Sequence, residues 1–205
     1  MLPPRLVLAT TNPGKLRELR ELLEPHRVEV RSLAEFADGQ AEETAPSFVE
    51  NAILKARHAA TLAGLPAIAD DSGLEVDALG GAPGVHSARY AGPQANDEQN
   101  LLKLLEALRT VPDAGRGARY QCAMVYLRSP ADPSPVIAQA NWEGTIARAP
   151  AGSGGFGYDP VFLLPERGLT VAQIESAEKH RSSHRGKALR ALLARLVAAH
   201  APASV

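Results

Sequence analysis

The apolar residues of this chain change their period several times, and the order of those changes leaves few folds open. "RLVLAT" at 5–10 is a mostly apolar run suited to a buried strand. Leu16, Leu19, Leu22 and Leu23 then recur at helical spacing and stop before Pro25. "VEVRSL" at 28–33 alternates as a second strand. Helical spacing returns from Ser47, which stands at capping-box distance from Glu50, and runs to Ala63 before Gly64 and Pro66 end it. Around that helix Phe48, Val49, Ala52, Ile53, Ala56, Ala59, Ala60 and Ala63 share one side. Ser47, Glu50, Asn51, Lys55 and His58 share the other. "PAIA" at 66–69 is a third strand leading to Asp70 and Asp71, and "GLEVDAL" at 73–79 alternates again.

Beyond the long loop "GGAPGVHSARYAGP", a helix is expected near 97–110. Three β-rich stretches follow at 118–128, 135–142 and 143–148, then the strand "VFLLP" and a closing helix at about 183–199. Alternating strands and helices followed by a meander imply an α/β domain whose mixed sheet has an antiparallel portion. The 205 residues, 45% hydrophobic, suffice for one substantial core, and no linker forces a second domain. Only the Ala/Pro tail at 199–205 has the composition of a disordered segment.

A net charge of −1 argues against a protein that tracks nucleic-acid phosphates. The single cysteine, Cys122, permits no intrachain disulfide and suits a reducing compartment. The apolar run from Leu6 to Thr10 is too short for a signal peptide, and no later run approaches a membrane span. A soluble, cytoplasmic protein with neither nucleic acid nor membrane as partner is expected.

Four groups of residues suit a common chemistry. Thr10-Thr11-Asn12-Pro13-Gly14-Lys15 joins a strand to a helix, where unpaired N–H groups and the helix dipole favour an anion. Glu42, Glu43 and Glu50 flank the start of the next helix, and Asp70 and Asp71 end the following strand; hard divalent cations need such oxygen ligands. In "EKHRSSHRGK" at 178–187, His184, Arg185 and Lys187 fall in the first turn of a helix, where positive charge is unfavourable unless an anion offsets it. "GSGGFGYDP" at 152–160 presents Phe156 and Tyr158 among glycines, flat faces on which a nucleobase can stack. Together they describe a triphosphate, a metal and a base.

"TTNPGK", "AEET" with "SFVENAILKA", "ADDSGLEVDALGGAPGVHSARYAG", "GGFGYDPVF" and "SHRGKAL" resemble the inosine triphosphate pyrophosphatase family, whose members remove non-standard purine nucleotides. The blocks stand in family order from about residue 5 to residue 195. The resemblance implies an elongated α/β fold, a mixed β-sheet flanked by helices in two lobes around a deep cleft. Residues 1–198 would form this single two-lobed domain, usually as a homodimer. It implies Mg²⁺-dependent hydrolysis of ITP, dITP, XTP or dXTP to monophosphate and pyrophosphate. Residue by residue, Thr10, Thr11, Asn12, Pro13, Gly14 and Lys15 match the substrate-binding turn. Asp71 matches the catalytic, metal-associated aspartate, and Glu43 a metal-site carboxylate. Ser72, Phe156, Gly157, Tyr158, Asp159, Lys179, His184 and Arg185 match substrate contacts.

On that basis Asp71 faces the metal, and Asp70 faces away or braces the neighbouring loop. Glu43 or Glu50 takes the proton of water, and Lys15 and Lys179 stabilise the departing pyrophosphate. Donors from Arg185 or loop N–H groups read the 6-oxo edge of the base. Two other readings remain open from the residues alone: a pyrophosphatase for other nucleotides, similar to the septum-formation-inhibitor family, and a non-catalytic nucleotide sensor.

Overall fold

The computed structural model describes residues 2–36 and 41–198; the expected tail at 199–205 lies outside the described residues. Among the described residues, seven strands form one mixed sheet in the order β2-β1-β3-β4-β5-β6-β7. They are β1 Arg5–Leu8, β2 Glu29–Ser32, β3 Ala67–Val76, β4 Gly117–Leu127, β5 Val136–Ile146, β6 Phe162–Leu164 and β7 Leu169–Thr170. β1 pairs parallel with both β2 and β3, whereas β6 pairs antiparallel with β5 and β7. The helices are α1 Pro13–Leu23, α2 Phe48–Ala63, α3 Asp97–Ala107, α4 Ser176–Ser182 and α5 His184–Ala198. The α/β class and the parallel-then-antiparallel order expected from the sequence are both present.

Two boundaries differ from expectation. The stretches at 135–142 and 143–148 are one strand, β5. No turn-forming pair interrupts it, and Gly144 is a packing residue there: a Cβ would strike the Phe162 ring at 2.5 Å and the Leu163 carbonyl at 2.7 Å. Likewise β3 does not end at the two acids but runs through Asp70-Asp71-Ser72-Gly73 to Val76. Continuous pairing carries Ser-Gly along where local propensity alone would stop it.

The chain divides into two compact units. One holds Met1–Asp71, Cys122–Ala140 and Arg185–Val205; the other holds Ser72–Gln121 and Asn141–His184. Strands β3, β4 and β5 contribute residues to both.

In the first unit strand alternation sorts side chains into two cores. Leu6, Leu8 and Ile68 pack with Leu19 and Leu23 of α1 and with Leu189, Leu192 and Leu196 of α5. Val7, Ala67 and Ala69 pack instead with Ala52, Ala56, Ala59 and Ala60 of α2. α2 is capped by Ser47, whose hydroxyl accepts from the Glu50 amide, and it stops at Gly64 with φ +63°. In the second unit Leu101, Leu104 and Leu108 in and just after α3 close over Leu74, Val76, Tyr120, Trp142, Tyr158 and Phe162.

Candidate active site

The parity of β3 explains the two acids. Asp70 follows Ile68 onto the α1/α5 face, and Asp71 follows Ala67 and Ala69 onto the α2 face. Both are buried, and each meets cations from the helices on its own side.

Asp70 is the centre of an ion network on the α1/α5 face. Lys15 Nζ lies 3.1 Å from its Oδ2, and Arg185 Nε and Nη2 each lie 3.3 Å from the same oxygen. Arg185 Nη1 donates to Glu18 Oε2 at 2.5 Å, with the guanidinium side chain only 2% exposed. Burial opposes ionisation of Asp70, yet Lys15 and Arg185 outweigh it and hold the carboxyl far below its ordinary value. Two protein carboxylates therefore already compensate the arginine expected to await an anion. Its expected role as a donor to the base edge would require exchanging one of them.

The turn before α1 is built as an anion-favouring helix start. Asn12 is the N-cap, its Oδ1 accepting from the Lys15 amide at 3.0 Å, and its own amide donates to Thr10 Oγ1 at 3.2 Å. Pro13 occupies the first helical position, where its missing N–H costs nothing. Gly14 is buried and Thr11 half-buried.

On the α2 face Asp71 meets Lys55. Lys55 Nζ donates to Asp71 Oδ1 at 2.6 Å and to Glu43 Oε1 at 3.1 Å, so one ammonium touches both acids expected at a metal site. Asp71 Oδ2 is buried and has no hydrogen-bond partner among the described residues. Burial pushes the Asp71 carboxyl above its ordinary value against the pull of Lys55 and Lys15. For Lys55, burial works against the charge, but Asp71, Asp70 and Glu43 prevail and keep the ammonium protonated. Glu50 is exposed and accepts from the Ser47 hydroxyl at 2.5 Å, which commits it to the helix cap. Glu42 is exposed.

The second unit gathers another group. Asp159 Oδ2 accepts from Lys179 Nζ at 2.6 Å and from the Phe156 amide at 2.9 Å, while Oδ1 accepts from the Tyr120 hydroxyl at 3.1 Å. Lys179 Nζ sits 4.7 Å from the centre of the half-buried Phe156 ring, a cation–π contact. Gly155, at φ +73°, has no room for a Cβ, which would run into the Asp159 carboxylate. The Gly157 amide donates to Asp97 at 2.7 Å. Ser72 is half-buried on β3.

Tyr158 is not a free face: it is buried in the α3 core and its hydroxyl donates to the Ser87 carbonyl at 2.8 Å. Asp159, too, is buried and holds other groups in place rather than standing open.

Three residues escaped the sequence reading. Glu18 and Lys55 lie on helix faces with nothing local to mark them as buried. Tyr120 is the third. Its ring stacks on His184 at 4.7 Å and 18°, its other neighbour is Phe162 at 4.4 Å, and its hydroxyl orients Asp159. Tyr120→Phe keeps the rings but removes a hydrogen bond to a carboxylate, so an unfolding free energy lower by about 1.5–3 kcal/mol is expected. Urea denaturation checks this: the midpoint should fall at unchanged slope.

Comparisons with known proteins identify the family. A model of the Ham1 family matches residues 6–195. The "dITP/XTP pyrophosphatase" of Yersinia pestis is 57% identical over 189 residues, covering 92% of this chain and 96% of that protein. A solved HAM1 protein from Coxiella burnetii superposes with a TM-score of 0.85 at 47% identity, covering 96% of this chain and 99% of that one. A nucleoside-triphosphatase described as a dITP/XTP pyrophosphatase from Mycobacterium abscessus gives 0.73 at 43%, covering 92% and 98%. The family resemblance carried by the sequence blocks thus holds over nearly the whole length, and the chain belongs to the Ham1 family.

Proposed function

We propose that this chain is a nucleoside triphosphate pyrophosphatase that hydrolyses dITP and XTP, with ITP and dXTP as related substrates, to the monophosphate and pyrophosphate. Membership of a family whose curated relatives are dITP/XTP pyrophosphatases supports the enzyme class. The observation that carries the site assignment is the meeting of Asp71 and Glu43 on one cation, with the buried Asp71 Oδ2 lacking a hydrogen-bond partner among the described residues.

Two carboxylates that also expect a substrate phosphate and water are a donor set suited to Mg²⁺. Asp71 and Glu43 would hold the ion, which supplies positive charge to the phosphate oxygens when bound. No cluster of three or more metal-binding side chains occurs among the described residues.

Water attacks the α-phosphorus and the bond to the β-phosphate bridging oxygen breaks. In this reading Asp71 positions the water and Glu43 takes its proton, Glu50 being tied to Ser47. Lys15, with the first N–H groups of α1, offers positive charge to the departing pyrophosphate. The substrate-contact roles of Ser72, Phe156, Gly157, Lys179 and His184 belong to the same reading, with the buried Tyr158 and Asp159 supporting them from behind and Arg185 reaching the base only by exchanging Asp70 or Glu18. Phe156 is the stacking face, and Asp159 positions Lys179 beside it. A cytoplasmic homodimer completes the proposal. No helix among the described residues is long and apolar enough to cross a membrane.

Product analysis on a nucleotide panel tests it. Pyrophosphate should appear from dITP and XTP with Mg²⁺ and not with EDTA. dATP, with a 6-amino group, and dGTP, with a 2-amino group, should react at least about 10²-fold more slowly, the scale of discrimination by polar contacts to the base. Equal rates with dGTP and dITP would contradict the selectivity. Orthophosphate in place of pyrophosphate would contradict the reaction.

A further inference from the structure

Asp71 and Glu43 are brought together around a cation that the protein itself provides. Lys55 Nζ bonds both carboxylates, at 2.6 and 3.1 Å, and its side chain is 6% exposed, as is that of Asp71. The three groups come from separate segments: the stretch before α2, the second turn of α2, and β3. Without the ammonium, two carboxylates would face each other in a site where burial already penalises charge. A divalent ion bridging the same two acids would meet that ammonium at contact range, where like charges repel strongly in a partly desolvated site.

We propose that Lys55 is a placeholder for the metal: it bridges the Asp71–Glu43 pair and offsets part of its negative charge in the nucleotide-free protein, and must leave the pair when the divalent ion takes it. The inference rests on the metal role proposed for Asp71 and Glu43. Its consequence is an order of binding. A bare divalent ion would bring two positive charges up to a pair whose charge Lys55 already offsets in part, against the repulsion of that ammonium, so it binds weakly. An ion arriving with a triphosphate brings more negative charge than it adds positive, and the displaced ammonium is no longer opposed. The protein therefore takes up the metal–nucleotide complex rather than the metal first. Lys55 acts as a positioning residue for the carboxylates and as a gate on the ion.

Mn²⁺ binding followed by electron paramagnetic resonance tests the proposal without turnover. Nucleotide-free wild type should bind Mn²⁺ weakly, and Lys55→Met should bind it at least about tenfold more tightly, since one opposing charge is gone. Lys55→Arg, which keeps the charge, should remain near wild type. The thermal midpoint of Lys55→Met should fall without cation and recover with Mn²⁺, whereas wild type should change little. If Lys55→Met fails to fold, Lys55→Gln supplies the same comparison. Equal or weaker Mn²⁺ binding in the neutral variants would overturn the placeholder role alone. Failure of wild type to bind Mn²⁺ even with a non-hydrolysable dITP analogue would overturn the metal assignment and the placeholder role with it.

Discussion

Asp71→Asn is expected to lower turnover of dITP by at least about 10²-fold, the scale of a lost acid–base group, while the protein stays folded. The change keeps the shape of the side chain and removes its charge. Structurally the loss is small. Lys55 retains Glu43 as partner, and burial already disfavours the ionised form of Asp71, so a neutral amide relieves part of a cost. The thermal midpoint should lie close to wild type. Turnover within a fewfold of wild type, measured as pyrophosphate release at saturating substrate, would remove Asp71 from the reaction.

The neighbouring substitution is expected to do the reverse. Asp70→Asn takes one carboxylate from a buried network in which Lys15 and Arg185 both depend on it. Breaking a buried pair by removing one partner typically costs about 3–5 kcal/mol, because the remaining charge stays buried. For a chain of this size that corresponds to a drop of about 10 °C in the midpoint of thermal unfolding, which scanning calorimetry reads directly. The sign of the pH dependence follows from the depressed carboxyl of Asp70. The folded form ionises more readily than the unfolded one, so Asp70 contributes its full stability above the ordinary carboxylate range and loses it as pH falls toward the folded value. The gap between wild type and Asp70→Asn should thus be widest near neutrality and close in acid. A midpoint within a degree or two of wild type at pH 7 would show that Glu18 alone satisfies Arg185.

Adjacent residues of one type with opposite expected phenotypes follow from a single geometric fact. Successive side chains of β3 point to opposite faces, and the two faces carry different helices. The sequence reading posed the two acids as a problem of parity and placed Asp71 inward to chemistry and Asp70 away from it. It had no means of saying what Asp70 would meet. Glu18 and Arg185 are 167 residues apart, and only the fold joins them.

What was legible was local. The cap at Ser47, the stop at Gly64 and the early strands could be read because each has its cause within a few residues, whereas α1 starts at Pro13, inside the stretch expected to be a turn. The fused β5 and the unbroken β3 could not, since pairing partners decide where a strand ends. Lys55 and Asn51 were assigned to the polar side of α2, as any amphipathic pattern would place them. Both are buried, Lys55 by Asp71 and Glu43, and Asn51 by hydrogen bonds with the Ala45 amide and carbonyl. Tyr158 shows a related limit: aromatics among glycines look displayed, yet this ring packs into the α3 core. The family resemblance compensates in part, since it marks Asp159, Lys179 and His184 without explaining them. Tyr120, which ties Asp159 to His184, belongs to none of its blocks.

Mn²⁺ binding in the presence of a non-hydrolysable dITP analogue, compared between wild type and Asp71→Asn, bears most directly on whether residues 43 and 71 form the metal site. Altering groups that merely support a ligand typically weakens a metal about 10–100-fold, so loss of a direct carboxylate should weaken it by at least about tenfold. Unchanged Mn²⁺ affinity in Asp71→Asn would contradict the assignment.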